Sequence, residues 1–150
     1  LGEIVGLRSS DLKLDVQVPH ISITDAERSL KTTASIREVP LIGVSFMSAS
    51  EALKAAGEGE WLFPQYAQNS VVNTNSASQT INKWLRNRTK SDKTTHSFRH
   101  SMADRMRNAQ IPEDVQKAIC GWGANSVSRQ YGNGYSLGVL LENMKRLDAY

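Results

Sequence analysis

Residues 94–108 read TTHSFRHSMADRMRN, and residues 109–122 continue AQIPEDVQKAICGW. In the first stretch Phe98, Met102, Met106 and Ala109 recur at helical spacing, which predicts a helix over Thr95–Ala109 anchored by an apolar stripe. His96 and Arg99, three residues apart, then project about 60° from each other around the axis and share a neighbourhood at the border of the core. An imidazole offers proton transfer, and the planar fork of a guanidinium matches phosphate oxygens. Taken alone, such a pair reads more readily as solvated. In the second stretch Pro112 suits a first helical position, and Val115, Ala118, Ile119 and Trp122 fall at i, i+3, i+4 and i+7, predicting a helix over Pro112–Cys120. Gly121 and Gly123 bracket the indole where that helix must end. Trp122 therefore either packs in the core or directs its N–H into a cleft.

Working outward, helices are expected over Ser45–Ala56, closed by Gly57, over Ser78–Arg88 and over Ser136–Leu147. The last carries Leu137, Leu140, Leu141, Met144 and Leu147 on one stripe behind the segment GNGYS, a face that can dock on its own domain or on a neighbouring subunit. Leu14, Val16 and Val18, then Ile21 and Ile23, alternate as strands interrupted at Pro19, with a further strand in SIREVPL and a turn at Asp25–Glu27. The uncharged QYAQNSVVNTNSASQ reads as loop or the start of a helix. LGEIVGL, at the start, has the spacing of a helix without an N-terminal stop signal. The fold class is α+β, mainly α, with a small antiparallel sheet packed on a helical bundle. Lys31 falls in the hairpin before the last strand. A lysine there is ordinarily a solvated cation, but over a cleft it could protonate a leaving oxygen.

With 150 residues and 39% hydrophobic content the chain can bury one domain-sized core. No apolar run approaches the roughly 20 residues of a membrane span, which points to a cytoplasmic protein without membrane contact. Cys120 is the only cysteine, so no internal disulfide can form, and three scattered histidines give no zinc pattern. Charge is uneven: residues 83–107 hold eight Lys or Arg against two acids, while residues 1–60 hold six against nine. A local excess of this size attracts a phosphate backbone or coats a solvated helix.

Together these parts are far more specific than singly. Lys31, the run HSFRH, the run CGW and Tyr131 nine residues beyond Trp122 resemble, in order and spacing, the catalytic domain of the tyrosine recombinases, and among them the phage-type integrases. The resemblance runs from LGEIVGLRSSDL through LKTTASIREVPL to the last helix. The family carries His or Trp at the position of Trp122.

The resemblance implies site-specific DNA recombination, in integration or excision, by transesterification through a 3′-phosphotyrosine, with no cofactor and no metal. Tyr131 would be the nucleophile, Lys31 the acid for the leaving 5′-oxygen, His96 the partner in proton transfer, and Arg99 and Trp122 the groups holding phosphate oxygens. It further implies double-stranded DNA as partner, a homo-oligomer, the tetramer, assembled on that DNA, and a bacterial nucleoid or phage-encoded setting. The family's first catalytic arginine would stand before Leu1, with Glu3 matching the acid that braces it. The 150 residues would then be a single catalytic domain lacking its N-terminal helices and an upstream DNA-binding domain, impaired in isolation, and Glu3 would be without its partner. Arg8 reads as a helix-end surface residue outside the site. A type IB topoisomerase or telomere resolvase shares this chemistry, although the GNGYS tail favours an integrase. A non-catalytic DNA-binding module is the alternative of a different class.

Overall fold

Three short strands supply the platform on which the helices are arranged. The computed structural model describes residues 1–24, 36–68, 71–122 and 134–149. A four-residue helix α1 (Gly2–Val5) and a 3-10 turn at Ser9–Asp11 lead into β1 (Leu12–Lys13), β2 (His20–Ile23) and β3 (Arg37–Pro40). The strands are antiparallel in the order β1-β2-β3, with Leu12 opposite Ile21, Ile21 opposite Val39 and Ile23 opposite Arg37. Alternation alone predicts a longer first strand, but Leu14, Val16 and Val18 lie outside the sheet and Val16 is exposed. Pro19 has no N–H for a ladder, and its carbonyl instead accepts from Leu41 N at 2.8 Å, so pairing begins only at His20. The expected turn at Asp25–Glu27 lies outside the described residues.

Helix α2 (Gly43–Ala56) ends at Gly57, whose positive φ of 58° with ψ −127° is a backbone conformation that a Cβ disfavours. Its Ala49, Ala52, Leu53 and Ala56 pack on a small core of Leu7, Leu12 and Leu62. The uncharged stretch after WLFP forms a two-stranded ribbon, β4 (Ala67–Gln68) against β5 (Val71–Val72), too short for a periodic signal. Helix α3 (Thr74–Thr89) then starts earlier than Ser78, because the Asn73 side chain caps it by accepting from Ser76 N at 3.0 Å.

Helices α4 (His96–Asn108), α5 (Glu113–Cys120) and α6 (Leu137–Lys145) close the main core, in which Met106, Ala109, Ile111, Val115 and Ile119 meet Leu140, Met144 and Leu147. Each of the larger of these side chains gains about 1.5–3 kcal/mol from leaving water. Helix α6 therefore docks on its own chain, and Arg105 Nη2, donating to Leu147 O at 2.7 Å, secures the 3-10 turn that follows it. The predicted stripe on α4 is only partly inward. Ala103 and Met106 are buried, Met102 is half-buried, and Phe98 is 64% exposed. The first two turns of α4 overhang the core, which begins only where α5 and α6 come beneath the helix. The result is mainly helical with one three-stranded antiparallel sheet, as the sequence leads one to expect.

Candidate active site

The overhanging end of α4 is where the chemistry-bearing side chains gather. Asn82 on α3 accepts from Thr95 N at 2.8 Å, which fixes the entry of α4 and with it His96. His96, Arg99 and His100 are all exposed, and the two imidazoles meet edge to face at 4.9 Å between centroids. They stand out from the core border rather than within it. Opposite them, α5 ends at Gly121 in the left-handed region (φ 63°, ψ 32°), and Trp122 N donates back to Lys117 O at 3.2 Å. That turn lays the indole beneath Arg99, whose Cζ is 5.2 Å from the ring centroid. Trp122 Nε1 is buried and finds no hydrogen-bond acceptor among the described residues. A buried donor left unsatisfied costs about 1–3 kcal/mol, and such costs persist where a ligand supplies the missing acceptor.

Glu3 is not without a partner. Arg37, on β3, grips it with both arms of the guanidinium: Nη1 donates to Oε1 at 3.1 Å and Nη2 to Oε2 at 2.9 Å. Nε of the same group donates to Ile119 O at 3.0 Å, near the end of α5. The carboxylate that the resemblance pairs with an arginine before Leu1 is thus engaged by Arg37, a cation that the sheet delivers from 34 residues away. Arg37 and Asn82 are the positioning residues that sequence reading missed. No local signal marked Arg37: next to the strand Ile36 is 42% exposed while the Arg37 side chain is 10% exposed, the reverse of what hydropathy suggests.

A model of the phage integrase family matches residues 1–135. The chain belongs to the phage integrase family. Membership assigns this integrase chain to DNA recombination and integration, to the tyrosine recombinases in general, and to DNA as its binding partner. No characterised protein and no solved structure matches it. Among the described residues no helix is long and apolar enough to cross a membrane.

Electrostatics tie these side chains together. The Glu3 carboxyl is held below its ordinary value, first by the Arg37 hydrogen bonds and then by the charges of Arg37 and Arg99, against the opposing effect of burial. Burial pushes the Cys120 thiol up, while Arg99 and Arg37 pull it part of the way back. Glu3, Arg37, Arg99 and the Cys120–Trp122 turn therefore form one electrostatic neighbourhood. Arg8 lies elsewhere, with its guanidinium 4.9 Å from the Trp61 ring centroid and paired to Glu60 at 2.9 Å. Lys31 and Tyr131 lie outside the described residues. On the far side of Tyr131 in the sequence, the Tyr135 hydroxyl donates to Asp114 at the start of α5, which holds the Asp114 carboxyl down and the Tyr135 phenol up.

Proposed function

We propose that the chain is the catalytic domain of a site-specific recombinase that breaks and rejoins double-stranded DNA through a 3′-phosphotyrosine. In this reading the Tyr131 oxygen attacks the scissile phosphorus, the P–O5′ bond breaks, and the phenolic proton passes to His96. Lys31 gives a proton to the departing 5′-oxygen, so that a free 5′-hydroxyl forms. The phosphodiester energy is retained in the phosphotyrosine, and a 5′-hydroxyl from another strand reverses the step. Arg99 neutralises a nonbridging oxygen, and Trp122 Nε1 donates to the same phosphate. Recombining two duplexes requires four strand cleavages, each by one tyrosine, which supports a homotetramer assembled on DNA.

One observation carries the reading: an exposed guanidinium stacked over an indole whose buried N–H has no partner among the described residues. A phosphate oxygen that reached the indole N–H beside Arg99 would satisfy both groups. The test is covalency. The full-length gene product is incubated with a nicked suicide duplex that traps the cleaved strand, then denatured and examined for a protein–DNA adduct. An adduct that vanishes in Tyr131→Phe supports the reading. No adduct from the unmutated protein, alongside salt-sensitive DNA binding, would instead favour a binding module without strand-breaking activity.

A further inference from the structure

Arg37 has no place in the chemistry just described, yet it is the most heavily engaged cation near it. All three of its guanidinium nitrogens donate, two to Glu3 and one to Ile119 O, and its side chain is 10% exposed. The group also occupies the space next to Gly121: a Cβ at that position would lie 2.5 Å from Nη1 and 2.7 Å from Cζ. Arg37 thus fills the concave side of the turn that ends α5, and the residue after that turn is Trp122.

We infer that Arg37 is a positioning residue for the phosphate-binding indole: it clamps the Ile119–Trp122 turn to α1 through Glu3 and to the sheet through its own strand, and so sets where Trp122 meets Arg99. The inference rests on the proposed recombinase reading for its catalytic consequence, but its structural content stands apart from it. Three elements distant in sequence, α1, β3 and α5, reach the site separately, and one forked side chain joins them. Lysine cannot replace it. A single ammonium at the end of a flexible stem has no rigid fork to hold the carboxylate and the carbonyl together. The indole would keep its neighbours yet lose its register, and displacements of about 1 Å can cost about 10²-fold in rate at an active site.

Two readouts test this in the full-length gene product. The first is amide exchange of Trp122 N–H, which bonds to Lys117 O. Arg37→Lys is expected to speed it about tenfold while the core amides of Met106 and Ala109 change less than about twofold. The second is single-turnover cleavage at saturating duplex. Arg37→Lys is expected to slow it about tenfold or more at unchanged DNA affinity, and to cost less than about twofold when introduced into Trp122→Phe, because its effect runs through the indole. Unchanged protection of the Trp122 amide, or the same full loss of rate in the Trp122→Phe background, would overturn the inference. If the unmutated protein forms no Tyr131-linked adduct, the recombinase reading fails, and the exchange measurement still decides whether Arg37 holds the turn.

Discussion

Gly121→Ala concentrates the reasoning about this site into one methyl group. Two costs add. The residue sits at φ 63° and ψ 32°, where a Cβ costs about 1–2 kcal/mol. The added carbon would also lie 2.5 Å from Arg37 Nη1 and 2.7 Å from Cζ, far inside van der Waals distance, so the guanidinium must leave. Its departure breaks the fork to Glu3 and the bond to Ile119 O. The fork is open to water on the Glu3 side, 36% exposed, so screening reduces its worth, and about 1–2 kcal/mol is a fair value for this second cost. The two together come to about 3 kcal/mol. At a urea dependence of about 2 kcal/mol per molar, the unfolding midpoint falls by about 1.5 M. Equilibrium urea unfolding followed by circular dichroism measures this. Two companions separate the costs. Gly121→Asn tolerates the left-handed backbone but still meets Arg37, so it should remain strongly destabilised. In an Arg37→Ala background the clash is gone, and Gly121→Ala should cost only the backbone part, about 1–2 kcal/mol. A single-mutant loss below about 1 kcal/mol, or equal costs of Gly121→Ala with and without Arg37, would refute the close approach on which the site's architecture depends.

Other outcomes follow from the same interactions. Because Arg37 depresses the Glu3 carboxyl, the stabilisation from this pair is fully present above the ordinary carboxylate value of 4.5 and disappears as pH falls through the lower value of the folded protein; Glu3→Gln should flatten that acid limb of the stability–pH curve and leave the neutral region parallel to it. Met106→Ala, at a fully buried position, should cost about 2–5 kcal/mol, whereas Phe98→Ser, on the exposed end of the same helix, should change thermal stability by less than about 0.5 kcal/mol. Asn73→Ala removes the cap of α3 and should cost about 1 kcal/mol, read by the same melting experiment. Reversing the charges of Lys83 and Arg86, both exposed on α3, should weaken DNA binding about equally for all sequences and lower the slope of log affinity against log salt by about one for each phosphate no longer neutralised.

Helix positions were legible: α2, α4, α5 and α6 fall within two residues of the expected spans, the last three with an apolar face on the main core and α2 on the small one. Legibility failed for two physical reasons. Two-residue strands such as β4 and β5 have no period to detect, and their pairing rests on backbone hydrogen bonds that almost any sequence can make. Burial of a charged side chain is likewise invisible locally. Nothing in SIREVPL announces that Arg37 turns inward, because the acceptors that make this favourable lie at Glu3 and Ile119, on elements joined only by folding. For the site, spacing in sequence brought Arg99 and Trp122 to attention for separate reasons, and the structure stacks one on the other. The stripe through Phe98 misled because a helix can overhang its core: periodicity reports which side is apolar, not how far along the helix that side remains covered.

That overhang and the engagement of Arg37 are two halves of one arrangement. In the proposed reading a guanidinium that meets an incoming phosphate has to stay accessible, and Arg99 stands on the uncovered end of α4 with an aromatic face as its nearby support. A guanidinium that must keep a turn in place has to be saturated, and Arg37 commits every guanidinium nitrogen to protein acceptors. Exchanging the two roles would fail on both sides: a saturated Arg99 has no donor left for a ligand, and an unsaturated Arg37 beside Gly121 would be a desolvated charge with nothing to offset it. Glu3 is paired with Arg37, and the positive charges of both arginines favour its carboxylate. Its carboxylate offsets the charge of the held arginine, and the exposed Arg99 keeps its own.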